Sequence, residues 1–343
     1  MILVDKERLS GISAAIGFSF WLSVVYFLAF PDPQGTDFYP LWVGAQAIVN
    51  GSNPYAPPTT ELLRKSWSVT KFLHVSDVVA YPLPILVFIT PLTILPLELA
   101  VYVWFLLLLA CVVAFTFAFE WKRPISCLIP LISFPLFHAL TIKTSTVLWL
   151  GLIGLLRIAI KKNLVVTSGF CIALLPGKPQ AGLIFAVAAA IWALRNNRAV
   201  LTSAFLWVVV LWGGATIVKP EWPIEWWQAV QVYRQQVPLV WLLPQALVLP
   251  LFSRHLSWFA IVATAQVISF PVNDLYSSLP LLVGWMEIGG WLALAGVSCS
   301  WFATAISNHP HHTFILWLTV LLPYCACALG YSFAKLKESS NEK

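Results

Sequence analysis

Asp37 is a carboxylate in a setting that suits general-base chemistry. It stands in Asp37-Phe38-Tyr39-Pro40-Leu41-Trp42, just past a first hydrophobic run. Phe38, Leu41, Trp42, Ala45, Ile48 and Val49 then recur at helical spacing. Pro40 suits the first turn of that helix, and Gly51 followed by Pro54 suits its end. The pattern places Asp37 at a helix N-terminus, where two roles are open. It caps the helix, as Asp is favoured to do. Or it takes a proton from a reacting hydroxyl, because a helix N-terminus favours the ionised carboxylate that a base needs.

The basic counterpart is Lys178, in Leu175-Pro176-Gly177-Lys178-Pro179-Gln180. This break between two apolar runs puts a lysine where it either snorkels to an interface or pairs with an anion. Two prolines and a glycine make the backbone irregular there, which at membrane depth is tolerated where it lines a cavity. Lys143 and Arg234 are weaker candidates for the same task, and Lys219 reads as an interface anchor. In the segment from Pro220 to Arg234, Trp222, Trp226, Val230 and Tyr233, with Val237 beyond it, share one helical face. Glu225, Gln228, Gln231 and Gln235 lie mostly away from it. The pattern is an interfacial amphipathic helix, either an anchor or a lid that guides a lipid tail and holds its head group. Asn273-Asp274-Leu275-Tyr276 is an ordinary turn, or one whose Asp274 and Tyr276 hydrogen-bond a sugar. Glu287 lies in an apolar run, where an acid is functional unless a neighbour pairs it. His309, His311 and His312 read as a solvated loop, since a metal site needs more ligands in the right geometry. Asn50-Gly51-Ser52 is a formal glycosylation sequon. There is no GxGxxG, P-loop or GxSxG motif.

The elements that must hold these residues are membrane helices. The chain has 343 residues, 59% of them hydrophobic and 10% charged, against roughly 25% charged in soluble domains. The apolar runs are long and continuous, which predicts helices and not a barrel. The 18 tryptophans suit interfacial belts. Six cysteines lie inside apolar runs and read as packing residues. The net charge of +6 is spread over short loops, which argues against nucleic-acid binding. A first span at about 11–30 follows Lys6 and Arg8 and reads as retained. Others are expected near 97–119, 125–142, 145–160, 164–177, 180–194, 199–218, 238–252, 256–271, 279–303 and 313–334. The proline-rich 82–96 stretch is too short for a normal span and suits a re-entrant segment. The lysines and arginines of the short loops put Lys161, Lys162 and Arg198 on the cytoplasmic side. Asp37 then falls outside, in a first extracytoplasmic loop at 31–96, and a second such loop is expected at 219–238. One domain, 1–343, is expected.

In this order and placement the motifs resemble the GT-C superfamily of membrane glycosyltransferases, most closely glycosyltransferase family 87. The matching segments are Asp37-Phe38-Tyr39, Gly51-Ser52-Asn53-Pro54-Tyr55, Tyr81-Pro82-Leu83-Pro84 leading to Leu95-Pro96, Gly177-Lys178-Pro179-Gln180, and the tryptophan-rich Pro220 to Tyr233. The resemblance covers most of the chain to about residue 285. It implies an all-α polytopic fold of about 10–12 transmembrane helices, whose large first extracytoplasmic loop contains short helices. It implies transfer of a hexose, often mannose, with inversion, from a polyprenyl-phosphate sugar to a lipid- or glycan-linked acceptor. The site would face outward from the plasma membrane. Asp37 would be the base. Lys178, Arg234 and Lys143 would meet the phosphate, and Tyr39, Tyr55, Tyr81, Gln180, Trp226 and Asp274 would line the substrates. Two departures stand out. Where some members carry a histidine-rich segment that meets the donor phosphate, this chain reads Pro271-Val272-Asn273-Asp274-Leu275-Tyr276. Where many have Gly-Gln, it reads Ile142-Lys143-Thr144-Ser145.

The chemistry is consistent with one carboxylate. A sugar hydroxyl needs a base, and a phosphate leaving group needs positive charge more than a proton. No cofactor is expected, the sugar lipid being a substrate, and no divalent metal, since Asp32 and Asp37 are separated by Pro33 and Gly35. The alternative is a transporter or lipid flippase working through Glu287 and Lys178, although no internal repeat is visible.

Overall fold

A computed structural model describes residues 36–70, 78–119, 124–236, 255–270, 275–302 and 317–341. Within them every regular element is helical, and there is no strand. The first span, the 238–252 span, Asp32, Asp274 and His309 to His312 lie outside the described residues.

Helix α1, Tyr39–Val49, starts and stops where its sequence dictates. Pro40 occupies its first turn. Its end is closed by Gly51 at φ 69°, which aims its own N–H at Ile48 O (3.0 Å) and the Ser52 N–H at Ala47 O (2.7 Å). Helix α2 is Pro57–Thr70. Helix α3, Leu83–Ile89, tightens into a 3₁₀ turn over Thr90–Ile94, so the 82–96 stretch is a short bent helix. Helix α4, Leu97–Phe117, follows Pro96 and fits the expected span.

Two expected spans are broken. The 125–142 run divides into α5, Leu128–Ile132, and α6, Phe134–Thr141. Pro135 has no N–H to carry the hydrogen-bond ladder through. The chain turns extended at Ser133, whose Oγ accepts from the Leu136 N–H. The 279–303 run is a 3₁₀ turn, Leu275–Leu281, followed by α14, Leu282–Ile288, and α15, Gly290–Ser298. Gly289, at φ 62° and ψ 178°, separates the last two in a conformation that side chains disfavour.

The remaining helices are α7, Thr146–Lys161; α8, Val165–Leu174; α9, Pro179–Asn196; and α10, Arg198–Val208. Helix α10 passes through a π-turn, Val209–Gly213, into α11, Gly214–Val218. Then come α12, Trp222–Gln236; α13, Trp258–Ser269; and α16, Leu322–Asn341, which follows a π-turn at Trp317–Leu321. Among the described residues three stretches are long and apolar enough to cross a membrane: Leu97–Phe117, Arg198–Val218 and Leu318–Glu338. The chain is membrane-associated on that ground.

Small residues let the central helices touch. A Cβ on Gly151 of α7 would lie 2.6 Å from Cys111 Cβ of α4, and one on Gly154 would lie 2.7 Å from Phe115 Cα. The described cysteines are all free thiols, packed as expected. The acid in the apolar run is paired. Glu287 of α14 meets Arg157 of α7 at 3.1 Å and accepts from the backbone N–H and hydroxyl of Ser257. The Arg157 guanidinium in turn lies over the ring of Phe119, 4.4 Å from its centre.

Candidate functional site

Asp37 is held by its backbone. Its N–H donates to Ile142 O (2.8 Å), which pins the start of α1 to the end of α6. The N-cap of α1 is Phe38, and no side-chain hydrogen bond caps the helix. The capping role open in the sequence is therefore not the one Asp37 plays. Its half-buried carboxylate has no hydrogen bond among the described residues.

Lys178 is buried, 3% exposed. It is the N-cap of α9, where Pro179 opens the first turn, and the preceding break is held by Trp149 Nε1 donating to Leu175 O (2.8 Å). Its Nζ donates to Ser145 Oγ (2.9 Å) and Thr144 Oγ1 (3.3 Å). It also faces the rings of Tyr81 and Tyr276, 5.6 Å and 5.5 Å from their centres. Neutral oxygens and aromatic faces stabilise a buried ammonium.

Tyr81 is where the acid and the base of this pair meet. Its hydroxyl shares a 3.0 Å hydrogen bond with Ser145 Oγ, and its ring faces Lys178. Burial first, then the charge of Asp37, pushes its phenol well above the ordinary range, so Tyr81 stays protonated. Tyr55 reaches the same residue, donating its hydroxyl to Tyr81 O (2.9 Å).

Lys143 joins the cluster through its backbone. Helix α6 closes with Lys143 N–H on Leu140 O (3.2 Å) and Thr144 N–H on Ala139 O (3.0 Å). That motif needs a left-handed residue, and Lys143 supplies it at φ 56° where glycine is usual. Its carbonyl accepts from Trp104 Nε1 (2.9 Å), and Trp104 stacks on Phe38 with ring centres 5.0 Å apart. The side chain is 2% exposed, and burial pushes the ammonium down to about 7.

His138 of α6 belongs to the same cluster and was not singled out in the sequence. It stacks on Tyr276 at 6.5 Å between ring centres and lies within electrostatic reach of Asp37. The available signal was a lone ionisable group inside an apolar run.

Helix α12 differs from its sequence pattern. Its packed stripe runs Trp222, Glu225, Trp226 and Ala229, so Glu225 lies on the packed side. A carboxylate is tolerated there because Asn53 Nδ2 donates to it at 2.8 Å and Lys219 pairs with it at 2.8 Å. Trp226 packs against Trp222 and donates Nε1 to Ala80 O (3.1 Å). Arg234 is exposed at the far end of α12 and is not brought to Lys178. Gln180, half-buried in the first turn of α9, has no side-chain hydrogen bond among the described residues. Tyr39 is buried at 5% exposure beside Asp37 in sequence.

Two openings meet at Asn53. A cleft of about 1010 Å³ lies between α2 and α12, its largely apolar wall carrying Tyr55, Thr60, Arg64, Glu225 and Gln228. An apolar groove of about 740 Å³ runs among α1, α3 and α11, lined by Ile48, Leu83, Val87, Phe88 and Val218, with Lys219 also on its wall. Asp37 and Lys178 line neither opening; Tyr55 is the link between the cleft and their cluster.

No family model, curated protein or solved structure matches the chain. Among the described residues no group of three or more His, Cys, Asp or Glu is arranged to hold a metal. The arrangement therefore speaks through its own chemistry: a carboxylate with no hydrogen bond among the described residues, a buried ammonium, and the hydroxyls of Ser145, Thr144 and Tyr81 around it.

Proposed function

We propose that the chain is an inverting glycosyltransferase of the GT-C type, similar to family 87, with ten to twelve membrane spans. Its donor is a polyprenyl-phosphate hexose, mannose being the sugar the resemblance implies. Its acceptor is a lipid- or glycan-linked hydroxyl at the outer face of the plasma membrane. The observation that carries this reading is the convergence of Asp37 and Lys178 on Tyr81.

In the proposed step Asp37 takes the proton of the acceptor hydroxyl as its oxygen attacks C1 of the sugar. The bond from C1 to the phosphate oxygen breaks on the opposite face, which inverts the centre. The leaving phosphate keeps the bonding electrons, and the Lys178 ammonium meets its charge. Ser145 and Thr144 hold the Lys178 ammonium in place. The apolar groove with Lys219 on its wall suits a long lipid tail, which supports a lipid-borne substrate.

The transporter reading has less support. Glu287, its key acid, is held by Arg157 and Ser257. The deciding experiment incubates the purified chain with radiolabelled polyprenyl-phosphate sugars and a panel of acceptors. Label moves to acceptor with the wild type, and Asp37→Asn abolishes transfer while the protein stays folded. Full activity in Asp37→Asn sinks the assignment.

A further inference from the structure

Helix α12 reaches the backbone on both sides of one peptide link. Trp226 Nε1 donates directly to Ala80 O (3.1 Å). One residue earlier, Glu225 Oε1 accepts from Asn53 Nδ2 (2.8 Å). Asn53 is engaged at its other polar atoms too. Its Oδ1 accepts from the Tyr55 N–H (3.0 Å), and its carbonyl accepts from Thr59 Oγ1 (3.1 Å). Tyr55 then donates its hydroxyl to Tyr81 O (2.9 Å). Two routes thus run from α12 to residues 80 and 81, one direct and one through Asn53 and Tyr55.

The far end of the second route enters the cluster. The Tyr81 hydroxyl bonds Ser145 Oγ, and Ser145 Oγ also accepts from Lys178. At the near end the second Glu225 oxygen pairs with Lys219 (2.8 Å), so the carboxylate ties together three segments. Tyr55 remains a hydroxyl throughout. Burial first, and the Glu225 charge second, raise its phenol far above the ordinary range.

We infer that Glu225 and Asn53 are positioning residues, which clamp α12 onto the 53–55 turn and so fix, through Tyr55, the placement of Tyr81 beside Asp37 and Lys178. The catalytic half of this inference rests on the transferase reading; the clamp itself does not.

The test uses the full chain in lipid nanodiscs and follows amide hydrogen exchange by mass spectrometry. Wild type is compared with Glu225→Ala, Asn53→Ala and Glu225→Gln. Both alanine variants speed exchange across 78–86 by about tenfold, the factor that loss of a hydrogen bond to a charged group gives an opening equilibrium. Exchange in α9 is unchanged and reports that the bundle is intact. Glu225→Gln keeps an oxygen that accepts from Asn53, so it retains most of the protection. Faster exchange confined to 222–236, with 78–86 unmoved, overturns the clamp. Asn53→Ala carries the same test if Glu225→Ala does not fold. With a polyprenyl-phosphate hexose as donor, the alanine variants lose about tenfold in kcat with KM nearly constant, and Glu225→Gln recovers it. A change in KM alone, or no recovery with Gln, also overturns the positioning role. If the wild type transfers no sugar, the transferase reading fails while the exchange result still decides the clamp.

Discussion

Lys143 combines two unfavourable features at one residue. Its backbone is left-handed, and its ammonium is buried. The first costs about 1–2 kcal/mol for a residue with a Cβ. Replacing it by glycine removes both while keeping the carbonyl that Trp104 bonds. Lys143→Gly is therefore expected to raise the unfolding temperature and, on the transferase reading, to lower the rate of transfer; the trade is that of a strained functional position. The pH dependence has a definite sign. The folded chain sheds the Lys143 proton near pH 7, whereas an ordinary lysine holds it to 10.5. Between those values the unfolded chain binds more protons, so stability gains with rising pH. Thermal unfolding between pH 6 and 9 should show the wild type becoming more stable relative to Lys143→Met as pH rises above about 7. A gap that is flat with pH would show that the ammonium is not carried at a cost.

Helix α14 and helix α7 are joined by the Glu287–Arg157 pair, with side chains 12% and 26% exposed. Removing one partner strands the other, so Glu287→Ala should cost about 3 kcal/mol of stability in detergent unfolding, and the double variant with Arg157→Ala less than the sum. Transfer per folded molecule should persist in Glu287→Ala; a loss of function with stability intact would instead favour the transport reading. At this scale the sequence was readable where a local signal sets the element. Pro40 and Gly51 bound α1, Pro96 starts α4, and Pro179 starts α9. It misled where breaks fall inside apolar runs, because hydropathy does not register Pro135 or the Gly289 turn. Of the proposed site residues, Asp37 and Lys178 were singled out by loop position. Glu225 was not, since its partner Asn53 lies 172 positions away and helical spacing carries no information about it. Arg234 was assigned by charge alone, which does not say where a flexible side chain at a helix end will point.

For the whole molecule, the distribution of lysine and arginine makes a topological claim. Glu61 of α2 and Lys162 after α7 are both exposed and should lie on opposite faces of the membrane. Single cysteines placed at each should react with an impermeant maleimide from opposite sides of sealed vesicles. Labelling from the same side would undo the outward placement of Asp37. The Arg198–Val218 helix has a further consequence. Its 21 residues span about 31 Å at 1.5 Å per residue, close to the hydrocarbon thickness of a bilayer. At its end Ile217 and Val218 are 84% and 80% exposed. Four residues beyond its end begins the helix carrying Glu225 and Trp226. A bilayer thinner than this length tilts the span, and α12, which bonds Ala80 O through Trp226, is placed to carry that tilt toward Tyr81. On the transferase reading, the chain is expected to act as a gauge of membrane thickness, its rate of transfer varying with the acyl-chain length of the lipids around it.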